Sequence, residues 1–412
     1  MTARPTFRIA FRVLAVGLVV WALGSACRAQ ELTREAVAQW VADLGSDSRA
    51  VRARAEAALV EHGTDALDLL PNESTLDPAV RETLERIVRT VEDAETQKAL
   101  IPRNVSLRSK QLAECLDALE LQTGNSIPRP DKPLPVLSQL PPVEPLTFWQ
   151  AIDWIESHSE LRYGGHQLQI AKQRSPANSQ GPFRFLLLDH TVRETAAGQK
   201  LLSAKLRVEC EPRLRPLFLV AGVDTWKAQI GDQALEAFTP GASRELPAGR
   251  NGETDIGYDF IVPEHATGKL SLTGELSLTL SARTTSVTFS DLKARLPLVR
   301  RRGQASLSLL SIKPTEEETV IRLALAFPES RGLFESYRSS LLTPDLALEM
   351  PARTRIAASE TAQIQEDPEG NILETRFPTR GATPTRLHAL IPTAISTQQV
   401  RFEFRDLPQD RP

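Results

Sequence analysis

Ala204-Lys205-Leu206-Arg207-Val208-Glu209-Cys210 puts an apolar residue at every second position and a charge at each position between. Successive side chains of a strand point to opposite faces, so this run predicts a β-strand with one face in a core. The period recurs in Leu270-Ser271-Leu272-Thr273 and Leu276-Ser277-Leu278-Thr279-Leu280, where Ser and Thr take the outer positions. Ile321-Arg322-Leu323-Ala324-Leu325-Ala326-Phe327 and Val400-Arg401-Phe402-Glu403-Phe404 follow it too. A period of two with one polar face marks antiparallel strands packed on one side. Short strands of this kind between Gly and Pro turns predict sandwiches.

An internal likeness divides the region. Val287-Thr288-Phe289-Ser290-Asp291-Leu292 is similar to Phe402-Glu403-Phe404-Arg405-Asp406-Leu407. Each closes a block of roughly 110 residues, within the size of one domain. The expectation is two antiparallel β-sandwiches, over 182–296 and 303–412, with a boundary near Leu296–Gln304.

Upstream, the period changes. Leu112, Cys115, Leu116 and Leu119 line one face of a helix, Val105–Ser109 reads as a strand before it, Gly124 caps its end, and Ile127 opens another strand. Shifted by 36 residues, Phe148 falls on Leu112, Ile152 on Leu116, Asp153 on Asp117, Ile155 on Leu119 and Tyr163 on Ile127. Between the copies, Pro128–Pro145 holds seven prolines and predicts an extended, irregular connection. Residues 102–172 are therefore a small duplicated α/β unit.

Residues 31–97 predict helical hairpins. Val37, Trp40, Val41 and Leu44 share one helix face. Val51, Ala55, Ala58 and Leu59 share a second, which Ser48 caps and Gly63 ends. Ala66, Leu67 and Leu70 form a short helix stopped by Pro71. Asp77-Pro78 caps a fourth helix, with Val80, Leu84, Ile87, Val88 and Val91 on its face. Ser48-Arg49-Ala50-Val51-Arg52 matches Asp77-Pro78-Ala79-Val80-Arg81 at an offset of 29, which resembles a HEAT-type repeat. A free-standing solenoid needs at least about three repeats, so this segment predicts a platform or a cap resting on something else.

The N-terminus reads as an export signal. Arg4, Arg8 and Arg12 precede the uncharged run Val13–Ala26, and 14 residues are too few for the roughly 20 that span a bilayer. Cys27-Arg28-Ala29 offers small residues for cleavage before Gln30, giving a signal peptide over 1–29. Gly24-Ser25-Ala26-Cys27 loosely resembles a lipobox, and an uncleaved anchor is a third fate. Membrane contact follows only if Cys27 is lipidated or the signal is retained.

The 412 residues carry 49 Lys and Arg against 52 Asp and Glu, a net charge of −3, with 41% hydrophobic and 25% charged residues. That composition excludes a largely disordered chain, a coiled coil and a multi-span membrane protein. A mildly acidic chain has no electrostatic reason to seek nucleic acid. Arg300-Arg301-Arg302 and Arg213-Leu214-Arg215 are expected in solvated turns. Cys115 and Cys210 read as separate buried thiols.

The motifs HExxH, GxSxG, GxxxxGK[ST] and GxGxxG do not occur, so no catalytic, metal or cofactor-binding residue is assigned and no cofactor is expected. Asp189-His190 is a neighbour pair on a strand, where adjacent side chains point apart. Asp367-Pro368-Glu369-Gly370-Asn371 is explained by a turn. Trp149 is expected to pack with Phe148 and Ile152. Trp154 falls off that face and is the candidate contact for a partner.

The strand–helix–strand unit, carried by Val105-Ser106-Leu107, Leu112 to Leu119 and Thr123-Gly124-Asn125, resembles the small N-terminal modules of secretins and of TonB-type outer-membrane signal-transducing receptors. That resemblance implies protein–protein contact in the periplasm and no catalytic residue. The whole order resembles an exported bacterial multidomain protein with HEAT-like helices and such a module. The expectation is a multidomain α+β, non-catalytic cell-envelope protein that contacts a protein partner. Two alternatives are a hydrolase or carbohydrate-binding protein with a cleft between the β domains, and an accessory subunit of a secretion or uptake machine.

Overall fold

The computed structural model describes residues 32–71, 76–129, 133–170, 175–249, 252–302, 305–327, 338–367 and 370–408. The expected signal segment and Cys27 lie outside the described residues, as do Gln304, Pro368 and Glu369. The chain is α+β and multidomain, helical first and then strand-dominated. It forms two compact units, one ending at Leu84 and one beginning at Glu85.

The first unit holds α1 (Arg34–Asp43), α2 (Arg49–Leu67) and the opening turns of α3 (Pro78–Leu100). The Thr33 hydroxyl accepts from Ala36 N at 3.2 Å and caps α1. At Gly63 (φ 56°, ψ −134°) α2 kinks, where the glycine was expected to end a helix; a side chain there would be strained. Val37, Val41, Ala55, Leu59 and Leu84 are buried, as their spacing predicts.

In the second unit, α3 leads to a small α/β module: β1 (Asn104–Val105), α4 (Leu112–Thr123), β2 (Leu146–Thr147), α5 (Phe148–Ser157), β3 (Leu161–Gly164) and β4 (Gln167–Ile170). Val105, Leu116, Phe148, Trp149, Ile152 and Leu168 meet in its core. Its strands are shorter than the pattern predicts. Only Asn104–Val105 of the first pairs, with Leu146–Thr147. Ile127 is buried in irregular chain, because Pro128 follows it and offers no N–H to a ladder.

The β body begins with β5 (Ala177–Gln180), β6 (Phe183–Glu194), β7 (Lys200–Cys210), β8 (Arg215–Gly222), β9 (Lys227–Ile230), β10 (Gln233–Ala237), β11 (Ser243–Pro247), β12 (Glu253–Ile261) and β13 (Leu270–Phe289). β14 (Leu298–Arg302), β15 (Ala305–Pro314), β16 (Thr319–Ala326), the short α6 (Arg338–Leu341), β17 (Asp345–Glu349), β18 (Arg355–Ala357), β19 (Glu360–Asp367), β20 (Gly370–Phe377) and β21 (Arg386–Leu407) complete it. One sheet runs β18-β17-β21-β13-β9-β10-β12-β7-β6-β5, with β8 and β11 branching from β13; a second runs β14-β15-β16-β20-β19.

The two blocks expected on either side of Leu296–Gln304 do not each form a core of their own. β13 and β21 pair from Leu270↔Leu407 to Phe289↔Leu387. Leu270–Leu280 with Val400–Leu407 fill one core, beside Phe185, Leu206 and Phe260. Val287, Phe289, Leu387 and Ile391 fill the other, under Leu307, Leu323 and Phe377 of the five-stranded sheet. Each core thus draws on both blocks. The two similar hexapeptides sit at opposite ends of one ribbon, and each is alternately apolar because each lines a core.

Between the cores the ribbon is polar and self-satisfied. Thr279 Oγ1 meets Thr397 Oγ1 at 2.8 Å, Thr285 meets Thr393 at 2.8 Å, and Ser281 Oγ donates to Thr393 O at 2.8 Å. Buried hydroxyls cost little when they are hydrogen-bonded. The large sheet also curls back on itself. Gln180 Oε1 accepts from Arg401 N at 2.6 Å and Asn178 Oδ1 from Glu403 N at 3.2 Å, so side-chain amides of β5 cover the open edge of β21.

Gly274 stands opposite Phe402 in the ribbon, and a Cβ there would lie 2.5 Å from the Phe402 ring and 3.2 Å from Trp226. Gly274→Ala is expected to cost ~1–3 kcal/mol by overpacking, and Phe402→Ala ~3–5 kcal/mol by opening a cavity. Urea unfolding should show the double variant costing less than the sum, since the added methyl then enters the vacated space. Strict additivity would contradict this packing.

Candidate functional site

Ionisable groups concentrate where the module meets the β body. Thr147 caps α5 in a reciprocal box with Gln150, whose side chain reaches back to Thr147 N at 2.9 Å. That fixed start sets Asp153 and Glu156, three residues apart, on the helix side facing β6 and β7. Arg184 lies opposite Glu209 in the β6–β7 ladder. Its Nη2 donates to Asp153 Oδ1 at 2.6 Å and Glu156 Oε2 at 2.9 Å, and its Nη1 reaches Glu156 Oε1 at 3.2 Å and Glu209 Oε2 at 3.4 Å. The guanidinium also lies 5.5 Å from the centre of the Trp149 ring. Glu156 Oε1 accepts Tyr163 N at 2.9 Å as well.

Negative charge exceeds positive in this space. Arg184 faces Asp153, Glu156 and Glu209, and Glu253 stands beyond, bonded to Gly165 N and 3.4 Å from Arg207. Burial pushes the Glu209 carboxyl up to about 8 against the pull of Arg184, and Glu253 and Glu156 push it further. Burial works against the charge of Arg184, but Glu156, Asp153 and Glu209 outweigh it and hold the guanidinium charged.

A second clasp lies beside the first. Asn125 follows Gly124, which ends α4 at φ 73°. Asn125 Nδ2 donates to the buried Glu211 Oε2 at 2.8 Å, and its Oδ1 accepts Arg213 N at 3.0 Å. Arg213 completes the ring with Nε to Glu211 at 2.5 Å and Nη2 to Ile101 O at 3.1 Å. Arg184, Glu156 and Glu209 are buried and Asp153 is half-buried, and together they tie the module to the body.

The structure also places the residues singled out by sequence. Trp149 is fully buried, edge-on to Phe148 and Tyr163. Trp154 is half-buried, and its ring stacks on His158 at 4.3 Å. His158 in turn lines a groove of about 810 Å³ on the module, with Leu134, Val136, Leu161, Leu168 and Ile170. Val136 and Ile170 are exposed. Asp189 Oδ1 accepts Thr191 N at 3.2 Å, and His190 is buried. Cys115 and Cys210 are buried free thiols; burial raises Cys115 to about 11 and Cys210 further.

The arginine runs are not solvated turns. Arg300–Arg302 belong to β14, with Arg300 over the Phe289 ring at 5.8 Å. Arg213 is enclosed by the acceptors just named, and Arg215 donates to Leu341 O at 3.0 Å. Sequence reasoning missed Arg184, Glu209 and Glu211, although Arg184 interrupts the apolar run Phe183–Leu187, a signal that a partner must be waiting. Among the described residues, no group of three or more His, Cys, Asp or Glu is placed to hold a metal ion. No helix among them is long and apolar enough to cross a membrane.

No family model matches the chain, and no curated protein matches it. A conserved domain protein from Bacillus anthracis is similar over 56% of this chain and 90% of its own, at 8% identity and a TM-score of 0.20, a likeness that carries no argument.

Arg184→Ala should cost about 3–5 kcal/mol, because it strands buried carboxylates, whereas Arg184→Met with Glu156→Gln should cost less. Glu209 adds a pH dependence of its own. Its folded value of about 8 exceeds its ordinary 4.5, so between these limits the folded state holds a proton that the unfolded chain has lost. Stability from this group is complete below pH 4.5 and declines as pH rises through 8. Urea unfolding across that window should show the decline in the parent protein and a flatter profile in Glu209→Gln.

Proposed function

We propose that this is an exported, non-catalytic cell-envelope protein that works through contact with a protein partner, and that the α/β module makes the contact. The observation that carries the reading is the groove beside the Trp154–His158 stack, where Val136 and Ile170 are exposed and Leu134 is half-buried above the core residues Leu161 and Leu168. Apolar side chains left at a surface and flanked by an aromatic are the usual make-up of a protein-binding patch. The occupant is a protein segment presenting apolar side chains. Two clasps support the reading, since a module bound rigidly to its body presents its surface without paying an ordering cost on binding. The export half rests on the basic start, the 14-residue apolar run and the small residues before Gln30. With a net charge of −3, nucleic acid is not the partner.

The test is photo-crosslinking in cells from position 136. A discrete adduct with an envelope protein is expected, and Trp154→Ala combined with Ile170→Asp should remove it while circular dichroism stays unchanged. Crosslinks no different from those of a control position on β19 would overturn the module as the contact. Mass spectrometry of the mature N-terminus checks export: a start at Gln30 or a lipidated Cys27 supports it, and unprocessed protein free in the cytosol overturns it.

A further inference from the structure

A second site lies on the β body, away from the module groove. β12 pairs along its whole length with β7 on one side. On the other side β10 meets only Phe260 and Ile261, Phe238 N then donates to Asp259 O at 2.9 Å, and Gly249 N donates to Glu253 O at 2.9 Å. In an antiparallel strand the N–H and C=O of one residue point the same way, and the direction alternates. Glu253 and Asp259 therefore fix the direction of Asp255 and Gly257 as well. The N–H and C=O of these two residues face the uncovered edge, and among the described residues no protein group meets them.

That edge is recessed. It opens into a cavity of about 430 Å³, whose far wall is Phe238, Thr239, Arg244 and Leu246. Asp255 and Gly257 are half-buried. Unguarded edges are ordinarily blunted by a proline, a bulge or a covering loop. Here the central residue is instead a glycine, and a Cβ on it would lie 2.8 Å from Ala204 O. The close approach of β7 thus leaves the middle of the edge without a side chain.

The charges around the opening are unequal. Arg193 pairs with Asp259 at 3.0 Å, while Lys205 at 3.1 Å and Arg207 at 2.7 Å share Asp255. Arg244 is exposed, lies 5.6 Å from the centre of the Tyr258 ring, and has no carboxylate within ion-pairing distance among the described residues. Of the residues that line the cavity, three are cations, Arg193, Lys205 and Arg244, and two are carboxylates, Asp255 and Asp259.

We propose that the β12 edge is a strand-addition site for an extended, acidic segment of a partner protein. The segment's main chain bonds to Asp255 and Gly257, and a carboxylate in it pairs with Arg244. Strand addition draws its affinity from the main chain and its selectivity from side chains at alternate positions. The proposal does not depend on the module groove, which lies on other elements.

The test titrates the full-length protein with a fluorescent eight-residue peptide alternating glutamate and valine. Controls are the same peptide N-methylated at alternate residues, and a lysine counterpart. The acidic peptide should bind, and hydrogen exchange should slow at the amides of Asp255 and Gly257. The exposed substitution Arg244→Glu should weaken binding about tenfold with unfolding unchanged. N-methylation should abolish binding, and the lysine peptide should bind more weakly. No binding of the acidic peptide, binding that survives N-methylation, or unchanged exchange at both amides would overturn strand addition. Equal binding of the lysine peptide would overturn the acidic partner. A dimer that protects the same two amides without peptide would assign the edge to a second copy and overturn it also.

Discussion

The ladder between Leu270–Phe289 and Arg386–Leu407 is the constraint on which the β body depends. Each strand is alternately apolar at both ends, and each end is buried in a different core. Neither core is complete until residues more than a hundred positions apart have met. Such long loop closure costs entropy before any contact rewards it, so the body is expected to form late and as one cooperative unit. The hydroxyl ladder of Thr279, Ser281, Thr285, Thr393 and Thr397 lets the ribbon pass between the cores without exposing apolar side chains or stranding polar ones.

Burying Arg184 with its carboxylates is a poor way to gain stability alone, because desolvation consumes most of the attraction. Its effect is on geometry. A hydrophobic face tolerates small slips, whereas a guanidinium that must satisfy Asp153, Glu156 and Glu209 together accepts one orientation of α5 over β6 and β7. Asn125, Glu211 and Arg213 fix a second point. A second point restricts the rotation that a single one would leave open.

Local pattern disclosed which face of each element is buried. Leu206, Leu272, Leu323 and Phe402 are all in cores and Gly124 caps its helix, as their positions predict, while Gly63 kinks α2. Pattern did not disclose which strand lies beside which. Alternation is a property of one strand and its two faces, and it carries no record of a neighbour a hundred residues away. This is why two ends of a single ribbon resembled the ends of two domains. The same limit hid the ion cluster. Lys205, Arg207 and Glu209 occupy one face of β7 and read alike, yet they pass from exposed to half-buried to buried along the strand. Only Glu209 is roofed by α5, and that roof is written in another part of the chain.

The two candidate contacts differ in what they ask of a partner. The module groove is apolar and offers shape and burial. The β12 edge is polar, offering main-chain groups and an excess of positive charge. A protein segment that fits one has little to gain from the other, since an acidic strand would be desolvated without compensation against Leu134 and Ile170, and an apolar one would leave Arg244 unmet. On the two proposals above, the unlike surfaces would take two different chains, and the clasps between module and body would set the separation between them.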